Sequence, residues 1–317
     1  MRIGVFDDGL GHLYRQDAFA WCAARDLEAI EMGVGGWAQG NHLDLDALLR
    51  ERSERDELLG ELREHGLALS CVNAAGNPLH PDQRVGDDHA ARVRGAVELA
   101  ALLGVDRVVT MSGSPGAPGG ASIGIFAAWA LNPDFEELVR WQWVHAVEPF
   151  WRVLSAWAAE AAPDVRICLE LHPGCWAYNP QTFLDLCAAT GPNMMVNLDP
   201  SHFWWQGIDP VAAIDLLAGQ IGFAHAKDTL IHPDRVRLCG VFDVRLPIDP
   251  ETAPWTFAAV GRGHDDDAWA AIVDALERAG HDGDLSIEHE DPTLEREAGI
   301  EASLATVRRV LGARIGR

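Results

Sequence analysis

Met194-Met195-Val196-Asn197-Leu198-Asp199, then residues 209–217, then Gly222-Phe223-Ala224-His225-Ala226 read as strand, helix, strand. The outer two segments are short apolar runs. The middle one opens on Asp209-Pro210 and carries apolar residues at helical spacing. Two strands joined by a crossover helix pair in parallel. The same unit recurs in both directions. Further strands are predicted over residues 2–6, 29–32, 68–73, 107–111, 166–171 and 284–288, which with the two above makes eight. Helices are predicted over residues 45–65, 89–103, 179–190, 209–217, 267–279 and 294–311, and a helical stretch follows each strand. Eight β-then-α units predict one α/β domain over residues 1–317, a closed (β/α)8 barrel in preference to an open doubly wound sheet.

Two connections are too long for turns. Residues 112–132 are rich in Gly, Pro and Ser and end in a Trp-bearing apolar run. A helix over 133–147 follows, and Pro149 is expected to kink it into the next, over 150–161. The second connection, 229–263, carries prolines and little periodicity. They follow the fourth and seventh strands, so both are expected to be long lid loops over the carboxyl-end mouth of the barrel.

Charge narrows the partners. With 48 acidic against 25 basic side chains the net charge is −23. Such a surface repels polyphosphate, so nucleic acid is not expected as a partner. The six cysteines form no C-x-x-C pair, and the two within apolar runs, Cys71 and Cys168, read as small buried hydrophobes. The N-terminus lacks the apolar core of a signal peptide, and no apolar run approaches the ~18 residues of a membrane span. A soluble cytoplasmic chain with no membrane partner is the expectation.

Alternate strand residues share a face. That rule groups Cys168, Glu170 and His172; Asn197 and Asp199; Phe223, His225 and Lys227; and Ser286, Glu288 and Glu290. Four successive strands thus bring a carboxylate or imidazole to the end where barrel enzymes build their sites. Three carboxylates and a histidine buried together without a cation would be costly. A divalent metal held by Glu170, Asp199, His225 and Glu288 resolves the cost. The oxygen-rich set suits Mn²⁺ first, then Mg²⁺, with Co²⁺, Fe²⁺ or Zn²⁺ as further fits. A metal chelating a carbonyl and its neighbouring hydroxyl would favour loss of the adjacent proton.

Around this set lies a second tier. Lys227 is the sole lysine beside 24 arginines and sits one step beyond His225 on the same face, positioned to stabilise negative charge on a substrate. His172 and His202 are candidate substrate contacts. Trp37 and Trp204, with Trp205 and Trp255, could form an apolar wall for a sugar or its aglycone. His145, on the helix after the fourth strand's loop, is a candidate extra acid or base. Arg262, between Gly261 and Gly263, is the one candidate for a phosphate contact.

The segments Leu169-Glu170-Leu171-His172-Pro173, Asn197-Leu198-Asp199-Pro200-Ser201-His202, His225-Ala226-Lys227-Asp228 and Ser286-Ile287-Glu288-His289-Glu290-Asp291 resemble the sugar phosphate isomerase/epimerase family. This is the xylose isomerase-like TIM-barrel superfamily, and the resemblance spans nearly the whole chain. It implies one metal held by Glu170, Asp199, His225 and Glu288, with Glu170 and Glu288 also moving protons. The implied activity is a metal-dependent isomerase or epimerase acting beside a carbonyl of a keto-sugar or sugar derivative. Relatives that act as lyases on 3-keto-glycosides, including C-glycosides, often with a small partner subunit, supply the alternative. The chain could equally form a homo-oligomer. Abasic-site endonucleases of the superfamily need further histidines where this chain has Asn73 and Met111-Ser112, and an Asp-x-His where it has Lys227-Asp228. Phosphodiesterase activity is therefore the least expected.

Overall fold

The computed structural model describes residues 1–127, 132–243 and 249–313. Ten strands occur among them: β1 (Ile3–Phe6), β2 (Ala29–Gly33), β3 (Ala68–Asn73), β4 (Arg107–Met111), β5 (Arg166–Glu170), β6 (Met194–Leu198), β7 (Ile221–Ala226), β8 (Asp228–Ile231), β9 (Trp255–Ala258) and β10 (Leu285–Ile287). Eight of them close into a parallel barrel in the order β1-β10-β7-β6-β5-β4-β3-β2. The eight-stranded parallel barrel expected from the chain's alternation is the fold.

The barrel strands are apolar because both faces are covered. Their outward residues meet a ring of helices, where Trp151, Trp269, Phe183 and Phe19 are fully buried. Inside, Cys71, Val109, Cys168 and Phe223 form a closed layer. Above that layer the interior turns polar, with Glu31, Asn73, Glu170, Asn197, His225 and Ser286 all buried.

Helix boundaries follow capping chemistry. Asn179 and Thr182 form a reciprocal capping box ahead of Pro180–Ala189. The helix predicted to begin at residue 89 begins at Gln83, because the Asp82 side chain accepts from the Arg84 amide and caps it there. The predicted helix over 45–65 is two, Leu45–Arg50 and Arg52–Glu64, separated by Glu51 in an extended conformation. Pro133–Gln142 does not kink at Pro149. It continues through a π-turn at Trp143–Val147 into Glu148–Ala161, where Pro149 occupies a first-turn position that needs no amide donor.

The connection after β4 is irregular as far as residue 127, and the Trp-bearing run at 128–131 lies outside the described residues. The connection after β7 departs from expectation. It contains β8 and β9, an antiparallel pair registered Asp228↔Ala258 to Ile231↔Trp255, and a short helix, Pro233–Cys239. Each strand is four residues long and their pairing is long-range, so neither carries a local signal. No described helix is long and apolar enough to cross a membrane.

Candidate metal centre

The closed barrel fixes where each strand ends. Glu170 is the last residue of β5, Asp199 and Glu288 follow directly on β6 and β10, and His225 is the penultimate residue of β7. One ligand atom from each of these four lies within 4.8 Å of the others. Glu170, Asp199 and His225 are all but inaccessible, and the Glu288 side chain is 14% exposed. One edge of the cluster thus reaches the mouth.

The donor set fits a divalent cation. It presents three carboxylates and the Nδ1 face of an imidazole, with His225 Nδ1 3.1 Å from Glu288 Oε2 and 3.6 Å from Glu170 Oε2. Burial, then the charge of Glu288, pushes the Glu170 carboxyl up to about 7. Burial would raise Glu288 as well, but Lys227 and His225 outweigh it and hold that carboxyl well below its usual range. Asp199, likewise buried, is held low by Lys227 and His202. The cluster carries more carboxylate than the surrounding bases neutralise, and a cation among them would relieve the strain on Glu170. Asn197, whose Nδ2 donates to Glu170 Oε2 at 3.2 Å, keeps a buried carbonyl oxygen without a donor beside the same cluster.

Lys227 occupies the centre of charge. Its Nζ donates to Glu288 Oε2 at 2.6 Å and Glu290 Oε2 at 2.9 Å, and lies 3.0 Å from Asp199 Oδ2. The ammonium also sits 4.6 Å over the Phe257 ring. Burial would discharge it, but Asp199, Glu288 and Glu290 outweigh burial and keep it charged. His202 reaches the cluster too, with Nε2 2.9 Å from Glu170 Oε1 and 3.2 Å from Asp199 Oδ2. His172 packs edge-on against His202 at 4.3 Å, and its Nδ1 is buried with no partner. Burial lowers both imidazoles to about 4, so both are neutral at pH 7.

The other expected contacts lie elsewhere. Trp204 stacks on His264 at 3.8 Å and meets Trp269 edge-on, so it packs loop to helix and joins no cluster residue. Trp37 is half exposed, against His89. His145 is exposed on the π-turn and pairs with Trp141. Arg262 is committed to Asp291 and Thr293, at 2.6 and 2.8 Å.

One participant escaped the sequence reading. Glu31 of β2 is fully buried and faces the far side of His225, whose Nε2 lies 3.1 Å from Glu31 Oε2. Asn73 and Ser286 each donate to the same carboxylate at 2.7 Å. A carboxylate on the outer nitrogen of a metal-facing histidine fixes ring orientation and tautomer. The signal was a lone glutamate inside the apolar run Ala29-Ile30-Glu31-Met32-Gly33.

A family model described as xylose isomerase-like TIM barrel matches residues 19–310. The uncharacterized protein YfiH of Bacillus subtilis (strain 168) is 33% identical over 313 residues, covering 98% of this chain and 99% of YfiH. Among solved structures, the IolI protein with a bound zinc atom superposes with a TM-score of 0.65 at 20% identity, covering 99% of both chains. An L-ribulose 3-epimerase superposes with a TM-score of 0.62 at 18% identity, covering 98% of this chain and 95% of its own.

Proposed function

The chain belongs to the xylose isomerase-like TIM-barrel family, and on that premise we propose that it is a divalent-metal-dependent isomerase or epimerase of a keto-sugar or sugar derivative. The observation that carries the reading is the convergence of Glu170, Asp199, His225 and Glu288 beside the charged Lys227 at the carboxyl-end mouth. Those four residues would hold the ion, with Mn²⁺ the best match to three hard oxygen donors and one imidazole. The zinc in IolI supports a metal here without selecting which. When bound, the ion supplies positive charge to a substrate carbonyl and its neighbouring hydroxyl.

The chain's own groups do the rest. Glu170 and Glu288 come from β5 and the end of β10, with β6 and β7 between them in the barrel wall. They can therefore address a substrate carbon from two sides. One takes the proton beside the carbonyl while the other returns it, which inverts that carbon, or a single carboxyl carries the proton to the neighbouring carbon, which isomerises the sugar. Lys227 donates hydrogen bonds to the oxygen that gains negative charge, and neutral His202 and His172 bind substrate hydroxyls. Epimerase chemistry in a structural relative supports this assignment over hydrolysis.

Incubating the metal-loaded protein in D₂O with candidate keto-sugars tests it. Deuterium should enter the carbon beside the carbonyl in recovered sugar, and chelator should stop the exchange. Glu170→Gln and Glu288→Gln should each cut exchange at least 100-fold, consistent with the usual worth of a positioned acid or base. Near-native exchange in either variant, or exchange that survives chelation, overturns the proposal. Expulsion of a leaving group instead of exchange would identify a lyase.

A further inference from the structure

Glu290 reaches the metal centre through one side chain. Its Oε2 accepts from Lys227 Nζ at 2.9 Å, while the same ammonium donates to Glu288 Oε2 at 2.6 Å and lies 3.0 Å from Asp199 Oδ2. Glu288 and Asp199 belong to the set of four that converges at the mouth, and Glu290 does not. The alternation that brings Glu288 to the mouth brings Glu290 with it, two residues further on.

The partners of the ammonium differ in freedom. The Asp199 side chain is inaccessible and that of Glu288 is 14% exposed, whereas Glu290 is 49% exposed. Lys227 itself is buried, with the Phe257 ring 4.6 Å from Nζ. Its charge must therefore be answered by these carboxylates, since water cannot do so. A divalent ion held by Glu288 and Asp199 draws on the same two carboxylates. The two positive charges also repel each other, and burial leaves that repulsion weakly screened. Lys227 thus opposes the ion. Glu290 offsets the opposition from outside the ligand set, through a short charge-assisted hydrogen bond to the ammonium. Whatever share of the ammonium Glu290 takes leaves Glu288 and Asp199 freer for the ion.

We propose that Glu290 is a positioning residue for Lys227, drawing the ammonium off the ligand carboxylates and so setting how tightly the centre holds its divalent ion. The inference rests on the metal-centre reading above. Lys227 and Glu290 then act on metal affinity with opposite sign. A merely structural ion pair would not do this, because losing either partner would loosen the site in the same direction.

Titration of the chain with Mn²⁺ in competition with a chromophoric chelator tests the pair without reference to turnover. Lys227→Met should bind Mn²⁺ at least tenfold more tightly than the parent, and Glu290→Gln at least tenfold more weakly. Glu290→Gln also removes a negative charge from the neighbourhood, so the double variant decides between the two causes. In Lys227→Met/Glu290→Gln the affinity should lie within twofold of Lys227→Met alone, because no ammonium is left to position. Lys227→Gln, which keeps a neutral donor for the carboxylates, serves as the background where the methionine variant fails to fold. Lys227 variants that bind no more tightly than the parent overturn the proposal, as does a tenfold Glu290→Gln cost that persists without the lysine. A parent that binds Mn²⁺ while the variants match it loses the positioning role alone. A parent that binds no divalent ion removes the metal-centre reading and this inference with it.

Discussion

Lys227 shows how a single side chain can hold a site in two senses. Its ammonium donates to Glu288 and Glu290 and lies 3.0 Å from Asp199, and its third N–H is the one open to a substrate oxygen. A guanidinium is planar and broader, and cannot serve three acceptors around a point. Lys227→Arg is therefore expected to lower kcat/KM at least tenfold while the far-UV spectrum stays native; unchanged kinetics would return this lysine to a structural role. Glu31 works through another residue. Its carboxylate grips His225 Nε2 while Asn73 and Ser286 grip the carboxylate. Glu31→Gln keeps the shape but loses the charge that orients the imidazole. Metal titration should then show an affinity weaker by about 10- to 100-fold, the usual cost of losing such an outer partner. Affinity equal to that of the parent would show that the barrel wall alone holds the ring.

At the level of elements, the insertion after β7 is organised by one buried carboxylate. Asp228, the first residue of β8, accepts from the amides of Thr229, Gly261, Gly263 and His264, from His264 Nδ1 and from Trp269 Nε1, six donors in all. Gly263 is required for the approach, since a Cβ there would stand 2.1 Å from the Thr229 carbonyl oxygen. Asp228→Asn turns one acceptor into a donor facing donors. Urea denaturation should register a loss of about 3 kcal/mol, the scale for a broken buried charged network; a loss under 1 kcal/mol would show that the loop holds by packing. This insertion carries no local pattern of the kind the barrel strands carry. Strand ends were legible because alternation carries a strict period of two, which put Glu170, Asp199, His225 and Glu288 at one mouth. The β8–β9 pair was not, because Asp228 and Ala258 meet only through long-range closure. For the same reason Phe257 carries no signal in the sequence, and Trp204, an aromatic beside the strand-six motif, packs on His264.

Over the whole molecule the two ends of the barrel divide the labour. The carboxyl end gathers the candidate metal ligands, while the amino end is closed by ion pairs, with Arg107 and Arg166 bridging Asp106 and Asp282. Beside them His281 is buried ahead of β10, its ring nitrogens 3.4 Å from the Ile221 carbonyl and 3.3 Å from that of Asp284. Burial holds its pKa below the ordinary histidine range, and the charge of Arg107 adds to the effect. A histidine whose folded pKa is depressed binds its proton less readily folded than unfolded, so acid favours unfolding. Its contribution is fully present above about pH 6.5, fades as the pH falls below that value, and levels off once the folded ring protonates. Asp282 acts in a different window. Burial opposes its ionisation but Arg107 and Arg166 outweigh burial, so its contribution fades only below about pH 4, under its unfolded pKa. Denaturation midpoints measured between pH 7 and pH 5 should therefore decline, and His281→Gln should flatten that decline while leaving the steeper loss below pH 4 in place. An unaltered slope between pH 7 and pH 5 in the variant would move the acid sensitivity to the histidines of the carboxyl end, where His172 and His202 are also held neutral by burial.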